Sequence, residues 1–123
     1  MTIETDSVGI LQQALAKLAA GYDHLPEHKA QYDQQKALSV LLQVAEKMWD
    51  NYPYAHPQYA GQMLKPPHPV ARMAYQLAQW INPNNHALDG GRASSAMEKE
   101  AVSELAQMVG WCDGYLGHLT SGG

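Results

Sequence analysis

Gly114-Tyr115-Leu116-Gly117-His118-Leu119-Thr120-Ser121-Gly122-Gly123 closes the sequence, and its reading decides the fold. A short apolar stretch that runs into Thr120-Ser121-Gly122-Gly123 predicts a strand delivering an anion-binding turn. Glycines let a backbone come close to a phosphate, and N–H groups at the start of a following helix hold it. No helix follows here, so the expectation is the N-terminal piece of a larger enzyme. A strand that feeds such a turn normally lies in a parallel sheet covered on both faces. The same glycines also suit a frayed tail, because an anion nest needs more than two of them.

Working back toward the N-terminus, the pattern is helical. Ser95-Ala96-Met97-Glu98 has capping-box spacing, and Met97, Ala101, Leu105 and Met108 follow on one face, with Gly110 as the expected stop. An earlier helix is expected from Pro69, with Val70, Met73, Ala74, Leu77, Trp80 and Ile81 toward a core and Asn82-Pro83 ending it. Before that, Leu38, Leu41, Leu42, Ala45, Met48 and Trp49 recur at helical spacing. That helix is expected to open near Pro26-Glu27 and to fail before Pro53. The first helix carries Leu11, Ala14, Leu15 and Leu18, with Asp6 or Ser7 as N-cap and Gly21 as its end. Residues 51–69 are rich in Pro, Tyr, Gly and His and predict an ordered loop rather than a linker. Residues 82–92 predict a second loop.

Composition bounds the function classes. The chain has 123 residues, 46% of them apolar, enough for one small domain with a core. A net charge of -4 without a basic patch argues against nucleic acid and against a membrane surface. No apolar run is long enough for a membrane span, and the acidic start Met1-Thr2-Ile3-Glu4 is unlike a signal peptide. A single cysteine, Cys112, forms no internal disulfide, so a reducing cytoplasm is the expected location.

The candidate chemistry is sparse. His24, His28, His56, His68, His86 and His118 are scattered and lack an acidic partner cluster, so no metal site is expected and solvated or capping roles suit them. Asn82-Pro83-Asn84-Asn85-His86 reads either as a polar pocket wall or as a helix-stopping turn. Glu98 and Glu100 are possible catalytic carboxylates, but the capping box accounts for Glu98 and Glu100 is an ordinary helix residue. Cys112 has no adjacent base, and none of the lysines lies in an apolar setting that would lower its pKa.

Several segments, taken together in order, resemble a family. They are His56-Pro57-Gln58-Tyr59-Ala60-Gly61-Gln62-Met63, Asn82-Pro83-Asn84-Asn85-His86-Ala87, Ser94-Ser95-Ala96-Met97-Glu98-Lys99-Glu100 and Gly117-His118-Leu119-Thr120-Ser121-Gly122-Gly123. They resemble the N-terminal part of a group II pyridoxal-phosphate-dependent amino-acid decarboxylase, most closely the tyrosine or aromatic type. The resemblance covers roughly residues 35–123. It implies a fold type I enzyme, α/β overall and mostly α in this chain, which ends at the first strand and phosphate loop. It also implies a homodimer, with residues 1–50 as a helical dimerisation segment and residues 51–123 leading into the cofactor domain. Ser121, Gly122 and Gly123 match cofactor-phosphate positions; Gln62, Asn84, Asn85 and His86 match substrate-proximal loops. The Schiff-base lysine, the aspartate at the ring nitrogen and the histidine stacked on the ring lie downstream in that family. None falls in this chain, which is expected to be inert alone. Two other readings stay open: a stand-alone helical interaction module, and a fragment of a pyridoxal-phosphate carbon–carbon lyase.

Overall fold

The computed structural model describes residues 5–54, 56–61, 66–85 and 89–120. Among these residues the chain is helical and contains no strand: α1 Ser7–Ala20, α2 Gln34–Lys47 with a 3-10 turn Met48–Asp50, α3 Pro69–Gln79 and α4 Arg92–Met108. The chain divides into two units, residues 1–77 and 78–123.

In the first unit, α1 starts after Asp6 and stops at Gly21, as the sequence predicts, although Asp6 makes no side-chain cap and Gly21 stays right-handed. The second helix opens later than predicted. Pro26 pushes its neighbour toward extended backbone, and residues 26–33 carry no apolar stripe that helix formation would bury. The start falls instead at Asp33, whose carboxylate accepts the Lys36 N–H at 3.0 Å. At α3, Pro69 occupies the first turn, and the Nδ1 atom of His68 accepts the Val70 N–H at 3.3 Å. His56 does the same for the Gln58 N–H at 3.2 Å, so these two histidines are caps. The loop after α2 is ordered by its tyrosines. The Tyr54 and Tyr59 rings meet edge to face with centroids 5.1 Å apart, and Tyr52 lies 6.3 Å from Tyr54.

The apolar stripes do not face a core. Among the described residues the buried ones are Ser7, Gly91 and Ala106. Leu41 on α2 is 66% exposed and Trp49 81%, and Leu38, Leu42 and Met48 are exposed with them. Val70 on α3, and Trp80 and Ile81 just after it, are exposed as well, while Met73 and Leu77 are half-buried. Helical periodicity selects a face to bury, but burial requires a second layer. Within the first unit no helix is packed on α2 to supply one.

The second unit is built on α4. Its start differs from the capping box. The N-cap is Gly91, without a side-chain cap, and Ser95 already lies inside the helix. Its end follows the sequence. Gly110 has φ +82, its N–H donates to the Gln107 carbonyl at 3.0 Å, and the Trp111 N–H donates to the Ala106 carbonyl at 2.9 Å. This pair of bonds is a Schellman motif, which needs the left-handed residue that glycine supplies. Residues 115–120 are not a strand. A strand needs a hydrogen-bonded neighbour, and here the segment lies along α4 instead, held mainly by side chains.

Candidate functional site

The segment after the Schellman motif returns antiparallel to α4 and touches it at successive points. The Tyr115 hydroxyl is 3.2 Å from Ser103 Oγ. Gly117 lies against Val102, leaving no space for a Cβ. The Leu119 N–H donates to Glu98 Oε1 at 2.9 Å. A small apolar cavity of ≈ 200 Å³ opens beside it, lined by residues including Val102, Ala106, Trp111 and Leu116.

The loop entering α4 comes to the same place from the other side. Asn82 adopts φ 43, and its N–H donates to the Ala78 carbonyl at 2.9 Å, which stops the preceding helix. Asparagine tolerates that left-handed conformation. Asn84 and Asn85 then reach α4. Ser94 Oγ lies 2.9 Å from the Asn84 carbonyl and 3.1 Å from the Gly91 carbonyl. Its single proton serves one of them at a time. Ser95 Oγ donates to Asn85 Oδ1 at 2.6 Å. With Oδ1 engaged, the Asn85 amide turns its Nδ2 toward Glu98 Oε2 and donates to it. Asn82 therefore stops a helix, one of the two roles its sequence allowed, while Asn84 and Asn85 tie the loop to the first turns of α4.

Glu98 is where the two paths meet. Its side chain is 17% exposed; the His118 imidazole, 72% exposed, places Nδ1 2.5 Å from Oε1. The carboxyl is held below the usual glutamate range. The Leu119 backbone N–H is the largest cause, partial desolvation opposes it, and Asn85 and His118 add to the lowering. Ionised, Glu98 is acceptor-only, so His118 donates through Nδ1–H. Because the folded-state pKa is depressed, the contribution of these bonds is fully present above the ordinary glutamate value and is lost as pH falls through the folded one. Protection of the Leu119 amide against hydrogen exchange, referred to the unstructured rate, should hold above the ordinary glutamate range and decline only below it, as Glu98 takes up a proton. Leu119 protection that never declines in acid while the Trp111 amide stays protected would contradict this.

Asn85 is thus brought to Glu98, which the sequence assigns to a cap, and Asn84 to Ser94. Gln62, His86, Ser121, Gly122 and Gly123 lie outside the described residues. The missed role of Glu98 had no local signal, since Ser95-x-x-Glu98 fits a capping box and its true partners stand 13 and 21 residues away. Among the described residues no group of side chains forms a metal site, and no helix is long and apolar enough to cross a membrane. Cys112 is exposed. The arrangement positions backbone and amide groups; it contains no nucleophile with an adjacent base.

Comparison with known proteins gives one informative similarity. The chain is 38% identical over 66 residues to the L-tyrosine decarboxylase of Enterococcus faecium. That stretch is 54% of this chain and 11% of the decarboxylase, so the chain spans a small part of its curated relative. No family model matches the chain, and no solved structure does.

Proposed function

We propose that this chain is the N-terminal part of a pyridoxal-phosphate-dependent decarboxylase that removes the α-carboxylate of an aromatic amino acid, tyrosine first among them. The observation that carries the reading is the 38% identity to L-tyrosine decarboxylase over 66 residues. Asn85, expected near the substrate, and the segment that leads to Ser121, Gly122 and Gly123, expected near the cofactor, both attach to Glu98, which supports it further.

When bound, pyridoxal phosphate supplies the electron sink for loss of the carboxylate. The described residues do not themselves form a phosphate site. The Leu119 N–H is committed to Glu98, a carboxylate. The donors this reading needs are the N–H groups of Ser121, Gly122 and Gly123, outside the described residues. What the described residues contribute is placement of two loops on one helix. The exposed stripe of α2, Leu38, Leu41 and Leu42, suits a subunit interface, and a homodimer belongs to the proposal.

The test is carbon dioxide release from tyrosine, phenylalanine, glutamate and histidine, with and without added pyridoxal phosphate. The protein is the whole encoded polypeptide, purified from a host lacking tyrosine decarboxylase. Cofactor-dependent release from tyrosine is expected, and none from residues 1–123 alone, which lack a lysine at the expected Schiff-base position. No release from any amino acid by the whole polypeptide sinks the proposal. A dimer without decarboxylation favours the interaction module instead.

A further inference from the structure

Glu98 uses its two oxygens for two different parts of the chain. Oε2 accepts from the Asn85 amide, 13 residues before it, and Oε1 accepts the Leu119 N–H, 21 residues after it, at 2.9 Å. Neither attachment stands alone. Ser95 Oγ, one turn earlier on α4, fixes the Asn85 amide from its oxygen side at 2.6 Å. Tyr115 and Gly117 lay the second segment along α4 before it reaches Glu98. The carboxylate is mostly covered, while the His118 ring that closes over Oε1 is largely in solvent. A carboxylate accepts on both oxygens, whereas an amide at this position accepts on one and presents a donor on the other. Glutamine therefore serves either the loop or the segment, and alanine serves neither.

We infer that Glu98 is a positioning residue that fastens the loop at Asn85 and the segment of residues 115–120 to one carboxylate, setting the spacing of the substrate-side and cofactor-side elements; the roles of those two elements rest on the function proposed above. Nothing in this requires Glu98 to touch substrate or cofactor. Its effect passes through Asn85 and Leu119.

Two readouts separate this inference from the functional proposal. The first is amide hydrogen exchange on the 123-residue chain, comparing Glu98→Ala and Glu98→Gln with the parent sequence. Glu98→Ala should lower protection of the Leu119 amide about tenfold, and Glu98→Gln by less, as expected for loss of a hydrogen bond to a charged acceptor. The Trp111 amide, bonded to the Ala106 carbonyl on the same helix, should change less than about twofold. A general weakening of α4 would lower both amides together. Equal loss at both, or loss at neither, overturns the inference whatever the protein's function. The second readout is pyridoxal phosphate binding by the whole encoded polypeptide, followed by absorbance. Glu98→Ala should raise the Kd about tenfold, with a smaller drop in turnover at saturating cofactor. An unchanged Kd overturns the cofactor-side half of the inference. The Leu119 effect without any cofactor binding by the parent protein leaves the fastening in place and removes the decarboxylase reading.

Discussion

Gly91→Ala is expected to detach the Asn82–Asn85 loop from α4. Gly91 is buried at the N-cap of the helix, and an added Cβ there runs into the Asn84 carbonyl oxygen. It also lies 3.2 Å from the Asn84 carbonyl carbon and 2.8 Å from Ser94 Oγ. The principal obstacle is backbone, so no side-chain rotation relieves it. The φ of −131 at Gly91 is open to any residue, and the effect is therefore one of space rather than of backbone preference. Either the loop moves out or the first turn of α4 unwinds, and each loses the Ser94–Asn84 and Ser95–Asn85 hydrogen bonds. Overpacking of this kind costs about 1–3 kcal/mol. Exchange protection across residues 92–98 and the side-chain amide resonances of Asn85 report it. Adding Ser94→Ala should not restore them, because the hydroxyl is the lesser clash. Recovery in that double variant would show that the side chain, not the carbonyl, closes the space.

The second large effect is expected at Gly117. A Cβ there collides with Val102 Cγ1, and it meets Cγ2 at 3.2 Å and Cβ at 3.4 Å. Valine within a helix keeps essentially one χ1 rotamer, and turning it exchanges one methyl clash for another while the Cβ contact stays. Gly117→Ala should therefore lift residues 115–119 from α4 at a cost of about 1–3 kcal/mol, breaking both the Tyr115–Ser103 contact and the Leu119–Glu98 bond. Here the obstacle is a side chain, so Val102→Ala should largely rescue Gly117→Ala. Leu119 amide exchange in the two single variants and the double variant measures the coupling. Additive losses would mean that the segment does not lie on Val102. The contrast is informative: at Gly91 removal of the neighbouring side chain fails to rescue, and at Gly117 it succeeds.

Both glycines sit beside the same helix, and only one of the two segments they serve was readable as a connection. The loop at Asn82-Pro83-Asn84-Asn85 announces itself, because a proline and three asparagines cannot continue a helix. The apolar stretch Gly114–Leu119 announced a strand, because it runs into Thr120-Ser121-Gly122-Gly123. It forms no strand because a ladder needs a partner at hydrogen-bonding distance, and α4 is the surface available to it in its own unit.

The sequence by itself determined what depends on neighbours within about five positions. It located the four helical stretches, the stops at Gly21, Asn82 and Gly110, the proline start of α3, and a capping role for His68. Each of these follows from a backbone group seeking a partner close along the chain. It also carried the ordered motifs that resemble an amino-acid decarboxylase, and the similarity to L-tyrosine decarboxylase falls on the same side. Tertiary structure alone decided the rest. Gly91 rather than Ser95 begins α4, and the stripe on α2 stays exposed because no other helix among the described residues is packed on it. Above all it decided Glu98. A Ser-x-x-Glu spacing satisfies a capping box on local grounds, but the Ser95 N–H is bonded to the Gly91 carbonyl inside the helix, and the carboxylate takes its donors from Asn85 and Leu119, which arrive from distant positions. Which partner a charged group takes depends on what the fold carries to it, and that is not written in its neighbours.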